Sequence, residues 1–194
     1  MANPEHPAKL SIRVKFWNEL REKSAYIKIN LEGANLKYVN LEGFNLEGLN
    51  LKGANLENAN LKGVNLKGVN LKGANLKNTD LREAKLVNAI FKGANLENAN
   101  LTSVQALATN FEGAILTGAC IEDWNINSQT NLQNVKCDYV YLKGIYSPVK
   151  EKWIYKNRVP HYQGKIFTEK EFTKRYQKIY ALPITMEKIA MTVL

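Results

Sequence analysis

Residues 51–80 read LKGANLENANLKGVNLKGVNLKGANLKNTD, and this stretch decides the fold. A large apolar residue occupies every fifth position from residue 31 to residue 101. This period matches neither the 3.6-residue repeat of an α-helix nor the two-residue alternation of a β-strand. A repeat this strict predicts that the chain stacks copies of one small unit. The central apolar residues are Leu31, Leu36, Leu41, Leu46, Leu51, Leu56, Leu61, Leu66, Leu71, Leu76, Leu81, Leu86, Phe91, Leu96 and Leu101.

The five-residue unit has the pattern A-N-L-[KE]-[GN]. A second apolar or small residue lies two positions before each centre, as Ala54 does before Leu56, and Asn55 lies between them. Residues two apart in a short extended segment face the same way, so the small residue and the centre point inward and the asparagine points outward. Gly or Asn in the last position suits the positive φ of a type II turn. Each unit is therefore predicted to be a very short strand followed by a corner.

A longer period of twenty residues indicates how many units close one coil. The same residue types return at this spacing, as in Gly33, Gly53, Gly73, Gly93 and Gly113. Four units per coil are therefore expected, with like residues stacked above one another and leucine filling the interior. The centres run from Tyr26 to Leu142, which gives about six coils. The register slips by one position after Ile126, so an extra residue is expected within residues 127–130.

The repeat resembles the pentapeptide-repeat family, whose pattern is A-[DN]-L-x-x. The resemblance covers residues 24–142 and implies an all-β fold, a right-handed quadrilateral β-helix. Residues 118–126 and 137–143, with 158–160 and 172–174 after them, look like the closing region of family members common in cyanobacteria.

The segments on either side of the repeat are predicted to cap its open ends. Residues 1–23 form the expected N-terminal cap, and residues 143–194 form a basic C-terminal segment with a helix at about 169–181. Thr168 and Glu171 form a capping box, with Phe167 and Phe172 as its hydrophobic staple. Residues 144–166 are expected to be irregular. Residues 184–194 are expected to form a short helix, or an incomplete end if the chain is part of a longer protein. The apolar residues of the first cap are Ile12, Phe16, Trp17 and Leu20.

The charge of the chain is concentrated outside the repeat. The net charge is +9, yet residues 24–142 hold 11 basic and 11 acidic residues, whereas residues 143–194 hold 11 basic and 4 acidic ones. Such a tail could contact phosphate or anionic lipid. Its basic residues alternate with aromatic and aliphatic ones at helical spacing, which favours a packed cap with a solvated basic side. Nucleic acid is therefore an unlikely partner.

Neither cysteine suggests a disulfide or a metal site. Cys120 falls in an outward position and Cys137 in an inward one, on different coils. Two reduced cysteines, with no signal peptide and no apolar run of membrane-spanning length, predict a cytoplasmic protein.

The repeat offers no residues for catalysis. Both histidines, His6 and His161, lie outside it, and no phosphate-binding loop is present. Glu122 and Asp123 beside Trp124 are best interpreted as part of a turn at the register slip. We therefore expect no enzyme activity, no cofactor and no metal.

An apolar corner on the outside of the repeat is the candidate interaction surface. Val87 and Leu107 occupy a column that holds charged residues in earlier coils, and Ile90 lies just around the corner. Exposed apolar patches usually mark a contact. The chain's own tail, through Phe172, Tyr176 and Ile179, is the first candidate to cover this corner, and a partner or a second copy in a homodimer is the alternative.

Three functional hypotheses remain. The first is a protein–protein interaction scaffold or binding module, whose partner is another protein. The second, suggested by the family resemblance, is a DNA-mimicking gyrase-binding protein, which the neutral rod and basic tail disfavour. The third is a rigid spacer in a larger multidomain protein.

Overall fold

The structure is a computed structural model that describes residues 5–23, 29–148, 150–160, 165–168 and 171–180. Helix α1 (Glu5–Lys23) comes first, and the repeat follows it. Strands β1 (Val140–Ser147) and β2 (Lys152–Val159) then form an antiparallel hairpin. Helix α2 (Glu171–Tyr180) comes last. The expected helix at 184–194 lies outside the described residues.

The repeat winds into a β-solenoid with four short parallel strands in each coil. Single β-bridges join each residue that precedes a centre to the residue twenty positions later, from Asn30↔Asn50 to Gln105↔Asn125. The spacing then becomes 21, beginning with Asn110↔Asn131. One extra residue therefore enters between 125 and 131, where the sequence register predicts it. We call the four sides of the solenoid walls.

The corners and the asparagine ladder follow from the unit pattern. At a typical corner, Ala54 N donates to Leu51 O over 3.0 Å, and the intervening Gly53 has a φ of 65°. Asn50 Oδ1 accepts from Lys52 N at 3.2 Å, which is an Asx turn. Where asparagines stack, their amides also bond to each other between coils, as in Asn65 and Asn45 at 3.0 Å. Asparagine therefore stabilises both the corner and the stacking of coils.

The interior of the solenoid is filled with aliphatic side chains and a short aromatic column. The inward leucines and alanines from Leu46 to Leu132 are buried. Phe91 and Phe111 stack at 5.2 Å between ring centroids, and Trp124 meets Phe111 edge-on at 5.3 Å. Each buried leucine contributes on the order of 1.5–3 kcal/mol, so this column of side chains is the main source of stability.

Helix α1 covers the open edge of the first coil with side chains. Asn18 Oδ1 accepts from Asn45 N at 2.8 Å, and Trp17 Nε1 donates to Asn45 O at 2.7 Å. Arg21 donates to Glu47 O at 2.6 Å. In later coils the equivalent backbone groups bond to the backbone of the preceding coil. Side chains of α1 thus take the place of a missing coil and leave less of the edge free to pair with another chain.

Helix α2 packs on the opposite end of the solenoid. Thr168 N and Thr168 Oγ1 both donate to Glu171 Oε2 at 2.9 Å, which is one half of the capping box. These hydrogen bonds lower the pKa of Glu171. Phe167 and Phe172 meet edge-on at 5.6 Å, and Thr173 Oγ1 donates to Leu132 O at 2.5 Å. The helix therefore sits on the last coil.

The hairpin corrects the expectation of irregular chain over residues 144–166. Strands β1 and β2 pair from Val140↔Val159 to Ser147↔Lys152. Both strands are rich in β-branched and aromatic residues, which favour extended structure, and Pro148 lies in the connecting turn. The hairpin continues directly from the solenoid, because Tyr141 also bridges to Cys120 of the preceding coil.

Candidate interaction surfaces

The hairpin lies against the wall that contains Asp80, Asn100 and Cys120, which we call the hairpin wall. The Arg82 guanidinium on this wall lies over the Trp153 ring of β2, 4.4 Å from its centroid. Asp80 forms a salt bridge with Arg82 and raises the pKa of the guanidinium. The cation–π contact is typical of an arginine that fixes an aromatic ring in place.

A second contact fixes the middle of strand β1 to the same wall. Gly144 N donates to Glu122 Oε2 at 2.9 Å, so Glu122 has a structural role, in agreement with its interpretation as part of a turn. Little space surrounds Gly144, since a Cβ there would lie 3.2 Å from Trp153 Cε3 and 3.5 Å from Cys120 Sγ. The hairpin therefore lies close against the coil backbone.

The hairpin buries groups that the repeat alone would expose. Cys120 occupies an outward position, as predicted, yet its side chain is fully buried, and burial raises the pKa of its thiol. Burial likewise raises the pKa of Tyr155 to about 12. The repeat pattern gave no indication of this cover, because the covering strands lie outside the repeat.

The side of the hairpin that faces away from the wall carries a mixed basic and apolar surface. Gly144 and Tyr155 face the wall, so by strand alternation the neighbouring positions face outward. Two cross-strand pairs define this outer face: Lys143 lies opposite Lys156, and Ile145 lies opposite Ile154. Both lysines are exposed and Ile145 is 40% exposed. We call Lys143, Ile145, Lys152, Ile154 and Lys156 the outer hairpin face.

Most lysines on the solenoid walls form ion pairs with glutamates, in contrast to the lysines on the outer hairpin face. Six wall lysines lie within ion-pair distance of a glutamate on a neighbouring coil, for example Lys77 Nζ with Glu97 Oε2 at 2.9 Å and Lys92 Nζ with Glu112 Oε1 at 2.8 Å. Among the residues that the structure describes, no carboxylate lies within ion-pair distance of Lys143 or Lys156. The outer hairpin face is thus an unbalanced cluster of positive charge.

The apolar corner predicted from the sequence lies on two adjoining walls. Ile90 is 39% exposed, and Val87 and Leu107 are half-buried on the next wall. The three residues follow the regular ladder, because Lys85↔Gln105 and Ile90↔Asn110 remain paired. Their role in binding stays a prediction.

The tail residues predicted to cover that corner are placed at the end of the solenoid instead. Phe172 is buried beside Phe167, and its ring centroid lies 4.8 Å from that of Tyr176. Tyr176 lines a small cavity of about 200 Å³ together with Trp124. The side chain of Ile179 lies outside the described part of the chain.

A second groove lies between the last coil and the segment before α2. It has a volume of about 510 Å³, and its lining includes Cys137, Asp138 and Phe167. Burial is the main cause that raises the pKa of Cys137 to about 12, so this thiol stays protonated and unreactive near neutral pH.

The described residues contain no group of three or more metal-ligating side chains. None of the helices within the described ranges has both the length and the apolar character needed to span a bilayer.

Comparison with known proteins decides the family. The family model for pentapeptide repeats matches in eight copies, over residues 29–68, 65–102 and 79–118. Rfr23, a pentapeptide-repeat protein of the cyanobacterium Cyanothece 51142, is 32% identical over 62% of this chain and 93% of its own, with a TM-score of 0.46. The chain belongs to the pentapeptide-repeat family. The predicted family, with its resemblance to cyanobacterial members, is confirmed, and membership implies the quadrilateral β-helix that four bridges per coil describe.

Two further solved structures are similar to this pentapeptide-repeat protein. One, from the thylakoid lumen of Arabidopsis thaliana, is 32% identical over 48% of this chain and 68% of its own, with a TM-score of 0.41. The other, alr5209 from Nostoc PCC 7120, is 25% identical over 61% and 93%, with a TM-score of 0.32. Among proteins with curated descriptions, none matches the chain.

Proposed function

We propose that this pentapeptide-repeat protein acts without catalysis as a scaffold for protein–protein interaction. In this proposal a right-handed quadrilateral β-helix of about six coils holds its walls rigid between a helical cap at each end. The filled interior supports it, because a packed core leaves the outer walls as the surface available to a partner. The partner is another protein, and assembly of two copies is the alternative.

The side-chain cap on the first coil is the observation that supports a scaffold most directly. Asn18 and Trp17 occupy the backbone groups of Asn45 that would otherwise extend the ladder. A rod whose edge is covered in this way is protected from end-to-end stacking and presents its sides instead. The walls carry regular charge ladders and one apolar corner at Val87, Ile90 and Leu107, which a partner can recognise by pattern.

Affinity capture from the native host, read by mass spectrometry, tests the scaffold role. We expect the wild-type chain to retain a defined protein partner, and the Val87→Glu/Leu107→Glu variant to lose it if the apolar corner is the contact. A matched Lys136→Glu variant, which changes an exposed residue on a different wall, should retain the partner. Size-exclusion chromatography of both variants separates loss of a partner from loss of a homodimer. Capture of no protein by the wild-type chain would contradict the scaffold role.

The DNA-mimic and spacer alternatives have less support. Mimicry of DNA requires an acidic rod, whereas residues 24–142 balance 11 basic against 11 acidic residues. A gyrase supercoiling assay that shows inhibition by the purified chain would overturn this judgement. A spacer role predicts that capture returns a longer parent chain.

A further inference from the structure

We propose that the outer hairpin face is a docking surface for an acidic, partly apolar segment of a partner protein. This proposal rests on the scaffold function and assigns it a surface and a partner chemistry. The hairpin, residues 140–160, carries five basic residues and one acidic residue. A surface of this charge attracts carboxylate-rich chain and raises its rate of association.

The pairing of Lys143 with Lys156 is the first argument. The two lysines are directly opposite in an antiparallel ladder, where like charges are unfavourable. On the walls most lysines stack on a glutamate one coil away, as Lys37 does on Glu57 at 3.2 Å, although Lys72 lies between Lys52 and Lys92. An uncompensated lysine pair on an ordered, exposed hairpin is therefore well suited to carboxylates supplied by another chain.

The isoleucine pair beside the lysines is the second argument. Ile145 is 40% exposed and faces Ile154 across the hairpin, next to the lysine pair in the same ladder. An aliphatic side chain of the partner can pack on this pair while its flanking carboxylates reach Lys143, Lys152 and Lys156. Alternating acidic and apolar residues in an extended segment match that arrangement.

The position of the hairpin's aromatic rings argues for a protein segment rather than a nucleic acid. Single-stranded nucleic acid binds where aromatic side chains offer a platform for base stacking. Tyr155 faces the hairpin wall, and Trp153 is covered by Arg82 at 4.4 Å. Tyr146 is 49% exposed, but it lies on the wall side of the hairpin beside Trp153, 5.8 Å away between ring centroids. The two cross-strand pairs of the outer hairpin face hold lysine and isoleucine, which offer charge and aliphatic contact without stacking.

Fluorescence anisotropy with a labelled peptide of alternating Glu and Leu residues tests the proposal on the full chain. The wild-type chain should bind the peptide, and the matching Gln–Leu peptide should bind much more weakly. The Lys143→Gln/Lys156→Gln variant should bind the Glu–Leu peptide roughly three- to tenfold more weakly, because two exposed charge pairs are lost. Lys72→Gln/Lys85→Gln removes the same charge from other walls and should leave affinity within about twofold of wild type.

Several outcomes would contradict the proposed docking surface. Equal losses in the two double variants would show non-specific attraction by net charge. Tighter binding of a single-stranded oligonucleotide, or of vesicles containing anionic lipid, through the same lysines would assign the surface to a different partner. An Ile145→Thr variant with unchanged affinity would exclude the apolar contact. If the native partner is captured equally well by wild type and by Lys143→Gln/Lys156→Gln, this docking surface is wrong while the scaffold role stands.

Discussion

Alanine at Gly118 should destabilise the solenoid more than alanine at Gly73, because a Cβ at Gly118 would overlap the side chain of Asn98. Gly118 has a φ of 77°, and a Cβ there would lie 2.1 Å from Asn98 Oδ1. Gly73 has a φ of 66°, and nothing lies within 4 Å of an added Cβ. Both substitutions place a side chain in the left-handed region at a cost of roughly 1–2 kcal/mol. Gly118→Ala must also displace the Asn98 amide, which adds about 0.5–1.5 kcal/mol.

Urea denaturation followed by circular dichroism measures this difference. We expect the free energy of unfolding to fall by roughly 1–2 kcal/mol for Gly73→Ala and by about 1.5–3.5 kcal/mol for Gly118→Ala. Asn98 itself has a φ of 58°, so glycine fits that position without strain. Adding Asn98→Gly to Gly118→Ala should therefore remove the extra destabilisation of Gly118→Ala relative to Gly73→Ala. The single variant Asn98→Gly completes the double-mutant cycle. Equal losses for the two alanine variants, or an excess that survives Asn98→Gly, would refute the steric argument.

Three further predictions follow from the corners, the cap and the buried thiol. Glu83→Gly should raise the free energy of unfolding by about 1 kcal/mol, because Glu83 has a φ of 61° that glycine adopts without strain. The 3.8 Å ion pair of Glu83 with Lys62 contributes only a few tenths of a kcal/mol, so its loss costs less than the relief of strain. A lower urea midpoint in the variant would contradict this prediction. Asn18→Ala should speed hydrogen exchange at the Asn45 backbone amide, because that amide loses its acceptor. The uncovered edge should also promote self-association, which size-exclusion chromatography detects. Unchanged exchange at Asn45 would contradict the capping role of α1. The raised pKa of Cys137 means that its neutral thiol favours folding below pH 9, and this contribution disappears between about pH 9 and about 12. Between about pH 9 and about 12 the melting temperature should fall less steeply with pH in Cys137→Ala than in wild type. Identical slopes in the two proteins would contradict this prediction.

The repeat region could be predicted in detail because every unit repeats the same local chemistry. Like residues at a spacing of twenty fixed the pairing, so Asn55 was expected above Asn35 and the structure pairs them. The slip after Ile126 was also visible, since the apolar centres move by one position there. Local pattern and tertiary structure agree in a solenoid because each coil contacts only its neighbours.

The hairpin and its docking on the wall could not be derived from the repeat. Residues 140–159 contain strand-forming side chains around a proline-containing turn, and this pattern was the available signal for the hairpin. Which wall the hairpin would cover depends on contacts between residues far apart in sequence, such as Arg82 with Trp153. For the same reason the sequence placed Cys120 in its outward position correctly but could not indicate that it is buried.

The contact between Arg82 and Trp153 limits how a rod of this kind can change in length. Each wall returns only after twenty residues, so a duplication of one whole coil before residue 79 would leave the downstream hairpin beside its arginine. Insertion of a single five-residue unit between Arg82 and Cys120 would rotate the two by a quarter turn and place them on adjacent sides. Duplication or deletion is therefore tolerated in whole coils, and preferably in the part of the repeat that precedes Arg82.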